Sequence, residues 1–183
     1  TYRKLEKAPD EQDKFVILMV GRLSIEKRQD VLVDAVAKSK YKDQIKLVLA
    51  GKGPRQEYIA KRGRSRGIDL TIRFFPKPEL LDRIASSDLY VHAADMEIEA
   101  MSCMEAFAGG LVPVIADSPK SATPQFALDD RSLFAAGDSD DLARRIDYWI
   151  EHPAEKAQME RRYAESAKQY NLDHCVRQAE VMF

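Results

Sequence analysis

Two stretches of the chain bring together residue types that can do chemistry. In VGRLSIEK (20–27) a glycine, Gly21, is followed by two cations, Arg22 and Lys27. In EIEAMSCMEAFAGGLVPVIA (97–116) three carboxylates, Glu97, Glu99 and Glu105, stand among small and apolar residues. Paired cations suit a diphosphate, with the guanidinium as a bidentate donor and the ammonium as a point charge. Carboxylates accept hydrogen bonds from vicinal hydroxyls, which occur on ribose and on sugars. Each pattern also has a plain reading, as solvated charges or a helix cap, and the local sequence leaves both open.

Spacing constrains the acidic stretch further. Glu97 and Glu105 are eight apart. On one continuous helix they would differ by about 80° and not share a face. Placing Glu97 in a loop and Glu105 on the helix after it lets both point into one cleft. The small residues Ala100 and Ser102 would then let backbone N–H groups reach a ligand at that helix's N-terminus.

The elements that must position these groups alternate along the chain. FVILMV (15–20), IKLVLA (45–50), LTIRFF (70–75), DLYVHAA (88–94) and VPVIA (112–116) read as strands, and SLF (132–134) as a short sixth. Their apolar character is continuous, as in strands buried on both faces. Helical spacing predicts helices over DVLVDAVAKS (30–39), 54–66, PELLDRIASS (78–87) and CMEAFAGG (103–110). From Asp138 onward the pattern is helical. Leu142, Ile146, Trp149 and Ile150 share one face, Met159 and Tyr163 follow on a helix after Pro153, and Asp173 is placed to cap another. This order predicts an α/β fold, a Rossmann-like open parallel sheet with helices on both faces. Ligands in such sheets lie beyond the carboxyl ends of the strands, which are the loops holding Arg22, Lys27 and Glu97.

Composition sets outer limits. The chain has 183 residues, 45% hydrophobic and 32% charged, with a formal net charge of −1. That suits one globular domain and predicts no bulk attraction to nucleic acid. Two cysteines, Cys103 and Cys175, form no C-x-x-C pair, which points to a reducing, cytoplasmic setting. No apolar run approaches the ~18 residues of a membrane span. The opening TYRKLEKAPDEQDK and the ending EVMF suggest a domain excised from a longer enzyme.

Other motifs are weaker. GKGP, beginning at Gly51, fails the dinucleotide fingerprint because Gln56 replaces its third glycine, so a tight turn is the better reading. His92 reads as a hydrogen-bonded structural residue, and His152 and His174 as surface or packing residues. SPKSATPQF (118–126) offers hydroxyls, or is a connector. KRGRSR (61–66) reads as a solvated helix face, which would meet anionic lipid if the intact enzyme docked peripherally on the inner face of a membrane. No Asp-x-Asp follows a strand, so a metal-clamped diphosphate is not indicated.

Taken together, V-G-R-L-x-x-x-K, A-G-x-G-P and E-x7-E-A-x-x-x-G-x-x-P-V-x-A resemble the retaining glycosyltransferases of family 4. The likeness covers residues 14–170. Residues 88–134 are similar to the bacterial cholesterol α-glucosyltransferases and related lipid glucosyltransferases. The resemblance implies the C-terminal, donor-binding half of a two-domain GT-B fold, with residues 1–13 as a linker and 171–183 as a helix returning to the N-terminal domain. It implies that Arg22 and Lys27 hold the donor's diphosphate and that Glu97 holds a hydroxyl of the donor sugar. Glu105 would take the ribose. Gly21, Gly51, Pro76 and Lys77 would line the nucleotide, and Ile98, Glu99, Ala100 and Met101 would support the sugar. The partners implied are a UDP-sugar, with glucose favoured, and a lipid, sterol or glycan acceptor bound by the absent domain. Reaction on the face the diphosphate leaves, with no metal or other cofactor, is implied too. One departure is clear: the usual E-P-F-G is Glu97-Ile98-Glu99-Ala100 here, which leaves Glu99 as a rival to Glu97. A non-catalytic nucleotide-binding module and a nucleotide-sugar epimerase stay open as alternatives. A nicotinamide-dependent dehydrogenase is disfavoured by the failed fingerprint and the missing acid after strand two.

Overall fold

A computed structural model describes residues 4–97 and 101–168. Six strands form one parallel sheet: β1 (Phe15–Val20), β2 (Ile45–Ala50), β3 (Asp69–Arg73), β4 (Leu89–His92), β5 (Pro113–Asp117) and β6 (Leu133–Ala135). Their order is β3-β2-β1-β4-β5-β6, with every pairing parallel. The chain therefore winds outward from β1 in one direction, then returns to start again at β4. β1 and β4 lie side by side where this winding reverses, the position at which open α/β sheets place a ligand crevice.

Among the described residues six α-helices cover the sheet: α1 (Gln29–Lys38), α2 (Gln56–Arg66), α3 (Lys77–Ala85), α4 (Met101–Ala108), α5 (Ser139–Glu151) and α6 (Pro153–Ala167). The central strands are buried on both faces, with Val16, Ile17, Leu18, Leu47, Tyr90 and Val114 all inaccessible. This explains why their sequences run apolar without alternation. α5 starts at Asp138, whose carboxylate accepts from the Asp140 and Asp141 amides. Leu142, Ile146 and Trp149 on α5, and Met159 and Tyr163 on α6, are buried as their spacing predicts, with Ile150 at the margin. The predicted Asp173 cap, His174, Cys175 and the 171–183 helix lie outside the described residues.

Most element boundaries differ from the sequence reading by one or two residues, and two of them bear on the site. β3 ends at Arg73, not at residue 75, because Phe74 turns outward and is 58% exposed. α4 begins at Met101, two residues before the predicted helix. At the opposite end of the sheet, Asp88 anchors the strand starts. Its carboxylate accepts from the Val16 amide at 2.8 Å and pairs with Lys7 at 2.5 Å. Its carbonyl accepts from Lys156, which pairs with Glu160 at 2.5 Å. Residues 4–14 lie against this end, with Leu5 N donating to Ala85 O and Glu11 gripped by Arg83 through both carboxylate oxygens.

Candidate functional site

The crevice between β1 and β4 holds the first cluster. The chain leaves β1 through Gly21, at φ 154°, and reaches a short 3-10 turn over Ile25–Lys27. The loop leaving β4 is fixed to it by the Asp95 amide, which donates to Glu26 O at 2.9 Å. Glu97 follows, its carbonyl accepting from the Ala122 amide at 3.0 Å. Lys27 Nζ then donates to Glu97 Oε2. Two residues from opposite sides of the crevice are thus paired where the winding of the sheet reverses.

His92, the last residue of β4, lies behind this pair. It is 1% exposed, and its Nε2 stands 3.5 Å from Glu97 Oε2. The His92 ring and the Lys27 ammonium together hold the Glu97 carboxyl down to about 2, against a burial that opposes ionisation. Tyr90 Oη is 3.5 Å from His92 Nδ1 and donates to Ser102 Oγ at 3.2 Å. Burial pushes the neighbouring Cys103 thiol far above its usual range, so it is inert as a nucleophile.

A second cluster lies beyond β2 and β3. Val20, Gly21, Arg22, Lys52, Phe74 and Phe75 line a cavity of about 290 Å³. Arg22 is exposed, and among the described residues no salt bridge holds its guanidinium. Its carbonyl is fixed by Gln29 Nε2 at 2.9 Å. Lys52 Nζ sits 5.0 Å over the exposed Phe74 ring. Pro76 and Lys77 follow the aromatic wall and open α3, where Pro76 O accepts from the Leu80 amide at 2.9 Å. Lys77 crosses to Glu105 on α4. Glu97 and Glu105 are therefore both at the sheet's carboxyl end, each with its own lysine.

The glycines of GKGP have a steric purpose. A Cβ on Gly51 would collide with Gly21 O, and one on Gly53 with Leu23 O. The two loops interlock through Leu23, whose amide donates to Lys52 O and whose carbonyl accepts from Arg55 N. The tight-turn reading of this motif matches that packing. SPKSATPQF is a connector whose hydroxyls are used locally: Ser118 Oγ donates to Asp95 O, and Ser121 and Thr123 bond each other. In KRGRSR, Arg62 and Arg66 turn to Asp34 while Lys61 and Arg64 stay exposed. His152 stacks on Tyr148, a packing role. Among the described residues no three His, Cys, Asp or Glu side chains gather as metal ligands.

Ile98, Glu99 and Ala100 lie outside the described residues. Met101 is the first residue of α4 and 57% exposed. Sequence reasoning missed Arg28, Asp95, Lys52 and Phe74. Only Phe74 carried a signal, as an aromatic placed directly before Phe75-Pro76 where a strand had to end.

Residues 3–170 match the family of glycosyl transferases group 1. The chain belongs to that family. This glycosyltransferase is similar to the catalytic domain of cholesterol-alpha-glucosyltransferase from Helicobacter pylori, at 49% identity over 86% of this chain and 99% of that one, with a TM-score of 0.84. Anabaena HepE, solved in complex with UDP and glucose, shares the fold at 22% identity and a TM-score of 0.78, over 90% of this chain and 49% of its own. The glycosyltransferase thus spans about half the length of HepE. The C-terminal domain of LpcC from Francisella tularensis shares it at 17% identity and a TM-score of 0.78, over 93% and 96% of the two chains. No curated protein sequence matches the glycosyltransferase. Its fold is that of the C-terminal domain of a GT-B enzyme.

Proposed function

We propose that this domain binds a nucleotide sugar, UDP-glucose before others, as the donor half of a retaining enzyme that passes the hexose to a lipid, sterol or glycan. The observation that carries the reading is the Lys27–Glu97 pair across the β1–β4 crevice, with Arg22 exposed nearby at the cavity. HepE has been solved with UDP and glucose, and the Helicobacter pylori domain belongs to a glucosyltransferase acting on cholesterol. Those names favour uridine, glucose and a sterol-like acceptor here.

Each residue has a role in this reading. Arg22 and Lys27 hold the diphosphate and stabilise the charge that builds as it departs. An ammonium has three N–H donors, so Lys27 can keep Glu97 and still reach a phosphate oxygen. Glu97 accepts from a sugar hydroxyl, and Glu105 from the ribose, with Lys77 as its counter-charge. Main-chain groups around Pro76 and Lys77 meet the base beside the Phe74–Phe75 wall, and Gly21 and Gly51 shape the nucleotide's path. Ile98, Glu99, Ala100 and Met101 would support the sugar through their amides. The acceptor attacks on the face the diphosphate leaves, so no covalent nucleophile and no metal is needed. The acceptor site belongs to a second domain, and a peripheral membrane contact fits a lipid acceptor.

Calorimetric titration with UDP, GDP, ADP and NAD, each with and without Mg²⁺, tests this. Binding of UDP above the others, unchanged by the metal, is the expected result. Tightest binding of NAD overturns it.

A further inference from the structure

His92 is the buried polar group at this site to which the roles above give no task. A leucine would fill a strand position on β4 without the cost of desolvating an imidazole. The ring is instead 1% exposed, and its Nε2 has no hydrogen-bond partner among the described residues. That nitrogen faces Glu97 Oε2 at 3.5 Å. Lys27 approaches the same oxygen from the β1 loop. Lys27 and His92, on separate elements, thus converge on Oε2, and among the described residues no side-chain hydrogen bond or ion pair reaches Oε1. The groups facing the ring are Glu97 and Tyr90 from β4 and its loop, and Lys27 from the β1 loop. Behind Tyr90 come Ser102 and the neutral Cys103 on α4. With a proton on Nε2 the ring can donate to Glu97 Oε2, and Nδ1 is left beside the Tyr90 oxygen at 3.5 Å.

We propose that His92 is a positioning residue: its Nε2–H, with Lys27, keeps Glu97 Oε2 turned into the protein so that Oε1 is presented to a donor-sugar hydroxyl. The inference rests on the reading of Glu97 as the sugar-facing carboxylate. It specifies where the effect must appear. His92 touches neither diphosphate nor base, so its loss acts on ligands that carry the sugar and spares the free nucleotide. Tightening of the 3.5 Å approach on donor binding is the step at which the ring contributes.

The test compares His92→Leu with His92→Gln in the full chain. The glutamine amide can place an N–H near the position of Nε2, while leucine keeps volume without a donor. His92→Leu should weaken UDP-glucose on the order of tenfold, the equivalent of one hydrogen bond to a charged group. UDP affinity should be retained, and His92→Gln should recover most of the loss. Equal loss for UDP and UDP-glucose, or no loss for either, overturns the proposal. A second readout needs no donor: carboxyl-carbon NMR of Glu97 should show its titration moving upward from about 2 in His92→Leu. An unmoved titration also overturns it. If the unaltered chain binds no nucleotide sugar, the donor reading fails, while the Glu97 titration still decides whether His92 holds the carboxylate.

Discussion

Arg28 Nη1 donates to Asp95 Oδ2 at 2.8 Å, and so ties the loop leaving β1 to the loop leaving β4. Arg28 adopts φ 52°, a left-handed conformation that costs a non-glycine residue about 1 kcal/mol. Its neighbour in the chain is Lys27, and Glu97 follows shortly after Asp95. The tie therefore sets the separation of the paired lysine and glutamate. Asp95→Ala should cost less than about 1 kcal/mol of stability, because both partners are partly exposed. It should nevertheless weaken nucleotide-sugar binding. Arg28→Gly should do the same while relieving the backbone, so its melting temperature should hold or rise. Unchanged affinity in both variants would sink this role.

Glu97 should make stability acid-sensitive in a defined window. Its carboxyl lies at about 2 in the folded chain against 4.5 as a free group. A depressed carboxyl stabilises the fold above its unfolded value, and that contribution is lost as pH falls from 4.5 towards 2. The shift is worth at most about 3 kcal/mol by linkage. Glu97→Gln should flatten the fall in stability across that window, as read by denaturant melts at stepped pH. Parallel curves for the two proteins would contradict it.

Much of this site could be read from residue types, and part of it could not. The central strands were legible because they are nearly continuous apolar runs, and the helices α5 and α6 because Trp149 and Tyr163 recur at helical spacing. Glu97 and Lys27 stood out as charges at the carboxyl ends of such strands. Their direct pairing did not, since it depends on β4 lying beside β1, an adjacency between residues 70 apart in the chain. Phe74 misled because an aromatic after a strand has the same composition whether it is buried or turned out to a cavity. Arg28 gave no sign, since a left-handed arginine is fixed by its Asp95 partner and not by its neighbours.

Glu105 offers a cleaner separation of binding from folding. It sits on α4 with Lys77, which is 59% exposed, so the pair adds little to stability. Glu105→Ala should leave the melting temperature nearly unchanged and weaken UDP by about 1–3 kcal/mol, the loss of a charged acceptor for ribose. Uracil alone should bind as before. Equal UDP affinity in the variant would remove the ribose role.

The opposite end of the sheet should respond in the reverse way. Lys156 and Glu160 are each 7% exposed and pair at 2.5 Å. Removing one partner leaves a buried charge, so Glu160→Ala should cost about 3–5 kcal/mol. Adding Lys156→Met to that variant should recover a large part, with nucleotide affinity unchanged throughout. A double mutant as unstable as the sum of the single changes would show that the pair is not coupled.

The backbone-to-backbone fit at Gly51 and Gly53 bears on how this protein can be re-engineered. A methyl group at either position meets a carbonyl of the β1 loop, and overpacking of this kind costs about 1–3 kcal/mol. GRLSIEK cannot then be grafted from a homologue as a cassette by itself. Its carbonyls at Gly21 and Leu23 have to find the same two gaps, so the unit of transplantation is the pair of loops together. A chimaera that exchanges one without the other changes the donor site by moving its floor.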